Sequence, residues 1–526
     1  MTLEVPSKYG PITLGFFAVV MFNVWGFAAG TLSVGIYGGG MPILIYGALA
    51  IGIMISILCT SFAEFGSAYP SRAGCAMLAS KLAGPNWGRC AGYFTGGFHT
   101  FGVLFTPPAL IAVQTQLFAT MGRVLAPSWE PKRWQLFLIY QATSIPTIYC
   151  STFRTSILNI ISNAGAFVLV VLLFVVIGLF LGLSEPLASH DFVWGTLING
   201  TGWSEGVGIL IGIGGAIYAY GPSHWLLNMA DDVEHPRRDI PLAFIVQQVG
   251  NVTSLFAFYV ASGYAVTDWV ALSETLYPSP VGALIEQAIK SRGGTFVILL
   301  FLCVPGVVGN IAYVSACLRL VLGFVESGAC KSTSLDKNPT ETDSLVPFRT
   351  WLTKLSSKNQ TPISILWIVI GVNFIMSLIF LGSPVGFNIL VSSANLFYVL
   401  GYIPLFAAYL ATGGRYLGRE GWFRLPKAVS IVIAAINLAY TIFVAVVLSL
   451  PPLYPVTVGT MNWASVLGIA SAIFLAAAWV FHARHKFIGY VETVDVQDQA
   501  ALDIHRDREE VVVLEKPEID FTTSSL

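Results

Sequence analysis

Apolar residues in this chain run in blocks of about 20 or more, each closed by a short polar, Gly- or Pro-bearing stretch, which is the length a bilayer imposes on a crossing helix. The blocks predict twelve helices in chain order. Helices 1 to 6 fall at roughly 11–37, 42–65, 90–119, 134–151, 155–183 and 205–230. Helices 7 to 12 fall at roughly 240–266, 295–325, 362–381, 384–410, 427–449 and 460–482. Residues 1–10 carry no small-residue cleavage site of a secretory signal, so helix 1 is expected to be retained behind a short cytoplasmic segment. Residues 483–526 turn charged and polar and are expected to form a disordered cytoplasmic tail. The pattern is that of an all-α polytopic membrane protein with one transmembrane domain, 11–482.

Composition sharpens this picture. Of 526 residues 55% are hydrophobic and only 10% are charged, against roughly 25% charged in a soluble protein. The net charge of −1 offers no basic surface for phosphate backbones, which excludes nucleic acid as a partner. Only Arg123, Lys132, Arg133, Lys290 and Arg292, of 27 Lys and Arg, fall in loops 3–4 and 7–8, and the remainder sort to the opposite side. That asymmetry places both termini in the cytoplasm, with the plasma membrane as the expected location. Asn199-Gly200-Thr201 then lies in an outside loop as a glycosylation candidate, whereas Asn251-Val252-Thr253 lies inside helix 7 and is expected to be inert. The seven cysteines form no CxxC pair, and no HExxH, GxSxG or Walker loop occurs, so neither metal nor cofactor is expected and ATP is not the driving force.

Glycine is concentrated in two helices. Helix 1 carries Gly26, Gly30, Gly35 and Gly38 to Gly40, and helix 6 carries Gly206, Gly208, Gly212, Gly214, Gly215 and Gly221-Pro222. Close packing in lipid is sufficient reason for any single Gly. Pro222 is different: it has no N–H and clashes with the preceding turn, so helix 6 must open near Tyr218 to Pro222 and free backbone groups deep in the membrane. Interruptions in the first and sixth helices divide the chain into five-helix units, 11–183 and 205–410, with helices 11 and 12 (427–482) left over. An odd number of crossings inverts the second unit, giving a 5+5 inverted repeat whose broken helices 1 and 6 make the binding site.

Three stretches stand out as a set: IYGGGMPILIYG after helix 1, AEFGSAYPSRAGCA after helix 2 and NMADDVEHPRRDIP after helix 6. The chain resembles the amino acid-polyamine-organocation superfamily, specifically the fungal amino acid and choline permeases that include the 4-aminobutyrate permeases. Glu64, Ser67, Tyr69, Pro70 and Gly74 match that family's Glu-Leu-Ala-Ser-x-Tyr-Pro-Thr-Ala-Gly-Gly run, and Met229 to Val233 match its His-Met-x-Glu-Glu-Val run. Two departures are informative. Arg72 adds a positive charge after helix 2, and alignment on Met229 puts His224 where the family commonly has Asp and Asn228 where it has His. Helix 5 has no Lys to stand in for a coupling cation, unlike some bacterial relatives, so the coupling residue is not assigned by resemblance.

The resulting expectation is a secondary active permease that imports a small amino acid or related amine by alternating access, with a proton as co-substrate and lipid as its surroundings. Candidate substrate contacts are Asn23, Trp25, Gly26, Gly30, Tyr218, Tyr220, Gly221 and His224. A substrate amine would meet carbonyls freed in helices 1 and 6 or aromatic faces, worth about 2 kcal/mol when desolvated, and a carboxylate would meet N–H groups after Gly26 to Gly30. His224, with a reference pKa near 6.5, is either a titrating site group or a packed core histidine. Glu64, Asp231, Asp232, Glu234 and Arg237 are read as a cytoplasmic gate or coupling set. Asn310, Ser392, Ser393 and Asn395 add intramembrane polar groups. Choline, another quaternary amine or a polyamine is the alternative substrate. A non-transporting nutrient sensor, or a membrane enzyme using His224 or His99 as base, are the rivals from other classes.

Overall fold

The computed structural model describes residues 10–153, 155–327, 349–352, 354, 362–382, 386–458, 460–484 and 487. Of the tail expected to be disordered, 483–526, only Ala483 and Arg484, which continue helix 12, and Phe487 are described, and the rest of that expectation lies outside the described residues. Among the described residues eleven helices are long and apolar enough to cross a membrane, and the chain is an all-α polytopic membrane protein. The predicted helix missing from those eleven is helix 4, Arg133–Ser151, which is formed but carries Gln135, Gln141, Thr143, Ser144 and Thr147. Its polar face has partners: Tyr140 Oη donates to Asn373 Oδ1 at 3.1 Å and Gln141 Nε2 to Ser377 Oγ at 2.7 Å, both on helix 9. Side-chain hydrogen bonds of this kind join helices where surrounding lipid offers no hydrophobic drive.

The helices differ in how much they face their surroundings. Helices 1, 3 and 6 are 67% buried over their most apolar window and helix 10 is 78% buried, whereas helices 5 and 12 are 22% buried. Helix 3, Gly84–Leu125, packs most extensively on helix 10, Gly386–Thr412, and also on helix 8, Arg292–Ser327. Helix 2, Met41–Ala68, packs on helix 7, Pro236–Ala265, and on helix 6. The most enclosed helices are therefore 1, 3, 6 and 10, with helix 8 packed against helix 3. Short helices absent from the sequence reading add to the frame: Gly74–Leu82 before helix 3 and Val281–Ile289 before helix 8.

Both predicted interruptions exist. Helix 1 is divided into Pro11–Phe22 and Val24–Gly30, with Leu32–Tyr37 following a second irregularity at Thr31. The division falls at Asn23, whose backbone is left-handed (φ 43°, ψ 49°), and not among the glycines. Asn tolerates this region better than most side chains. Helix 6 runs Glu205–Tyr220, opens at Gly221 (φ 57°, ψ −163°) and Pro222, and resumes as a 3₁₀ segment, Ser223–Asp232.

Most glycines singled out in helices 1 and 6 serve close packing. A Cβ at Gly38 would fall 2.4 Å from the Gly212 Cα, and one at Gly35 would collide with Leu44. Where helix 1 ends, Gly38–Gly39 forms strand β1 and pairs antiparallel with β2, Ile198–Asn199, so helices 1 and 6 are pinned at that end by backbone contact. Val at Gly38 or Gly212 should sharply reduce the monodisperse fraction on size-exclusion chromatography, because backbone there cannot retreat. Val at Gly178, whose Cβ would meet nothing within 4 Å, should leave that fraction unchanged. Equal profiles for all three would refute the packing assignment.

Candidate functional site

The broken helices border a file of three small cavities. The first, about 30 Å³, lies beside the helix 1 break and is lined by Asn23, Gly26, Gln114, Gly306 and Asn310 among others. The second, about 40 Å³, lies beside the helix 6 break and includes Tyr218, Gly221, Pro222, Tyr313, Asn395 and Tyr398. These two share Phe22, Phe27 and Leu110. The third, about 40 Å³, includes Arg72, His99, His224 and Asn228. They succeed one another along helix 3, from Leu117 through Thr106 to Gly96, about 30 Å of helix and close to the hydrocarbon thickness of a bilayer. Helix 8 gives the same order in the opposite chain direction, from Leu302 through Tyr313 to Leu320.

An aromatic cluster separates the second cavity from the third. Tyr313 Oη and Tyr398 Oη are 2.5 Å apart, and Thr106 Oγ1 lies 3.2 Å from Tyr398 Oη. Beyond them the His99 and His224 rings stack with centroids 4.4 Å apart, and His224 Nδ1 lies 2.7 Å from Tyr402 Oη. Gly102 leaves room for the Tyr398 ring and Gly401 for His99, so small residues on helices 3 and 10 admit the large ones. Pro107 contributes from within helix 3. It has no N–H to offer the Val103 carbonyl, and the Cys317 thiol donates to that oxygen at 3.3 Å instead.

The structure distributes the candidate contacts among these cavities. Asn23 and Gly26 line the first, Tyr218 and Gly221 the second, and His224 the third. Tyr218 Oη is 2.6 Å from Ser392 Oγ across helices 6 and 10. Trp25, Gly30 and Tyr220 are not among the lining residues: Trp25 packs on Phe258 at 5.6 Å, Gly30 makes room for Val113, and Tyr220 Oη donates to the Ala48 carbonyl at 2.9 Å. Gln114, Tyr313 and Tyr398 escaped the sequence reading. Gln114 had a signal, a polar amide within an apolar helix, while the two tyrosines look like any others in a chain with 13% aromatics.

Two of the gate candidates, Glu64 and Arg237, bond to one loop, the connection between helices 10 and 11. Glu64 is buried, with Oε1 accepting from Leu425 N–H at 3.1 Å and Oε2 from Ser430 Oγ at 2.6 Å. Because Ser430 donates to Glu64, Tyr409 Oη donates in turn to Ser430 Oγ at 2.7 Å. Ser67 Oγ accepts from Phe423 N–H at 2.9 Å, and Tyr69 Oη donates to the Tyr416 carbonyl at 2.6 Å. Arg237 pairs with Glu420 at 3.0 Å on the same connection between helices 10 and 11. Glu234 is exposed, and the side chains of Asp231 and Asp232 lie outside the described residues. Two of the three stretches that carried the resemblance also meet: Gly74, at φ 51°, has no Cβ where Asn228 Oδ1 sits. Asn199 is exposed, its Oδ1 accepting from Thr201 Oγ1 at 2.6 Å, while Asn251 is buried in helix 7.

A sequence model of the family described as amino acid permease matches residues 13–472. The chain belongs to the amino acid permease family. It is similar to the choline transporter of Saccharomyces cerevisiae, 26% identical over 491 residues that cover 90% of this chain and 81% of that protein. The amino-acid permease BAT1 of Arabidopsis thaliana is 24% identical over 480 residues, covering 88% and 89%. The 7-keto 8-aminopelargonic acid transporter of Saccharomyces cerevisiae is 21% identical over 507 residues, covering 84% and 86%. This permease is thus a transporter by family and an integral, multi-pass membrane protein.

The Glu64 tether leads to a prediction about the permease. Glu64→Leu leaves the Leu425 N–H and the buried Ser430 hydroxyl without their acceptor, a loss of about 1–3 kcal/mol. Arg237→Ala removes a largely exposed ion pair worth about 0–1 kcal/mol. Thermal unfolding in detergent should therefore fall clearly for the first and hardly for the second, and the reverse ranking would dismiss Glu64 as the anchor of this loop.

Proposed function

We propose that this permease imports a small amino acid or related amine across the plasma membrane by alternating access, in symport with protons. What carries the reading is the pairing of helix breaks at Asn23 and Gly221-Pro222 beside two adjoining cavities in the most buried part of the molecule. Backbone opened inside a membrane is tolerated where it lines a cavity, and half-helix ends there present N–H and C=O groups to ligand charges. In this reading Arg133–Ser151 is the fourth crossing, and helices 1–5 (11–183) and 6–10 (205–410) are inverted counterparts. Both termini then face the cytoplasm, and Asn199 faces outside, open to glycosylation.

The outer two cavities take the substrate, with Asn23, Gly26, Tyr218 and Gly221 around it. The Tyr313–Tyr398 pair and the His99–His224 stack form the inner partition. Opening toward the cytoplasm requires helix 6 to swing at Gly221, which carries His224 away from His99 and uncovers the third cavity. Glu64, Ser67 and Arg237, bound to the connection after helix 10, hold that end shut until it moves. His99, His224 and Glu64 are the titratable groups positioned to carry a proton along this route. A second reading, choline or another quaternary amine or a polyamine as substrate, is favoured by the similarity to a choline transporter.

The test is uptake into proteoliposomes of labelled alanine, 4-aminobutyrate, choline and putrescine, with and without an inward proton gradient. Uptake of at least one compound should rise several-fold with the gradient. A gradient without effect would remove the proton from the account, and no uptake of any compound would remove transport of these classes. Gly221→Ala should abolish uptake while the protein still reaches the membrane. Room is not limiting, since the nearest atom to a Cβ there is Phe22 Cδ1 at 3.7 Å; the left-handed φ is, at about 1–3 kcal/mol of strain.

A further inference from the structure

The first cavity has a composition that selects among substrates. Asn23 Oδ1 on helix 1, Gln114 Nε2 on helix 3 and Asn310 Nδ2 on helix 8 are buried, line one space and have no hydrogen-bond partner. These side chains are 8%, 2% and 5% exposed. Two lining glycines make room for the amide heads: a Cβ at Gly26 would collide with the Asn23 amide, and one at Gly306 with Gln114 Oε1. Unpartnered amides alone do not define a site, since Gln247 and Asn251 on helix 7 are also unpartnered. What distinguishes this trio is convergence from three helices on one space beside the helix 1 break. Three orphan polar groups in a membrane interior are each costly unless a ligand completes them.

No Asp, Glu, Lys, Arg or His lines this cavity or the adjoining central one. A ligand with net charge would enter a low-dielectric space with no counter-ion, whereas a zwitterion brings both charges and asks only for donors and an acceptor. We propose that Asn23, Gln114 and Asn310 form a subsite for the charged end of a net-neutral zwitterion, which makes the permease selective against net cations. The carboxylate takes the Gln114 and Asn310 N–H groups and a protonated amine donates to Asn23 Oδ1. A quaternary ammonium has no N–H to donate and no carboxylate to accept. The remainder of the substrate extends past Phe22 and Leu110 into the central cavity.

This inference rests on the permease reading, and the experiment separates the two. Parent protein in proteoliposomes is assayed with labelled alanine, 4-aminobutyrate, choline and putrescine, alongside Gln114→Leu, Asn310→Leu and Asn23→Asp checked for monodispersity. The parent should take up a zwitterion at least tenfold better than choline or putrescine. Either Leu variant should lose at least tenfold of that uptake through a raised KM. Asn23→Asp, nearly isosteric and tolerant of the same backbone, should shift preference toward choline or putrescine by installing one negative charge. Preference of the parent for choline or putrescine overturns the subsite while leaving transport standing. Zwitterion uptake unaffected by all three substitutions also overturns it. If neither Leu variant folds, the direction of the Asn23→Asp shift decides, and no uptake of any compound by the parent overturns both readings.

Discussion

Backbone polar groups inside a membrane have no water to turn to, and the fold is arranged around the two places where the helical ladder is opened. Helix 1 gives way at Asn23 and helix 6 at Gly221-Pro222. Each unsatisfied group in hydrocarbon is worth several kcal/mol, so both openings have to be walled off by protein. The burial pattern follows from that requirement: helices 1, 3, 6 and 10 are the most enclosed, while helices 5 and 12 are left mainly to lipid. So does the glycine distribution, because helices 1 and 6 must lie in backbone contact at Gly38 and Gly212 for their openings to share one interior.

The two openings were unequally legible in the sequence. Pro222 announces its break chemically, by lacking an N–H, and the structure opens helix 6 at that residue and the Gly before it. Helix 1 has no proline near its break. Its glycines suggested an opening at Gly26 to Gly30, yet these residues are helical and serve to admit the Asn23 amide and the Val113 side chain. A left-handed Asn is a conformational choice made by tertiary packing, and neither periodicity nor composition registers it. Pro107 and Pro108 show the converse, since helix 3 continues through both with a Cys317 thiol replacing one lost donor. Eleven predicted crossings returned as helices apolar enough to span, and helix 4 is too polar to be counted with them because its polar residues bond helix 9.

Of the candidate site, the sequence offered individual residues but not their neighbours. Asn23, Gly26, Tyr218 and Gly221 border the paired cavities, but His224 lies past an aromatic partition, stacked on His99. That partition depends on side chains from helices 3, 6, 8 and 10, which no spacing along one helix reveals. Glu64 was read as part of a gate and is found bonded to the connection between helices 10 and 11, through a backbone N–H and a serine hydroxyl. Three features thus succeed one another in the molecule: opened backbone, a neutral polar pocket on one side of it, and an aromatic cluster with the buried Glu64 carboxylate beyond it on the other.

The most direct measurement is an experimental density map of the protein in lipid nanodiscs, with and without a saturating concentration of whichever compound it transports. The account predicts added density bounded by Asn23 on helix 1 and Gly221 on helix 6, continuous with the space between Gln114 and Asn310. Density elsewhere, with helices 1 and 6 closed into continuous α-helix through Asn23 and Gly221, would contradict it.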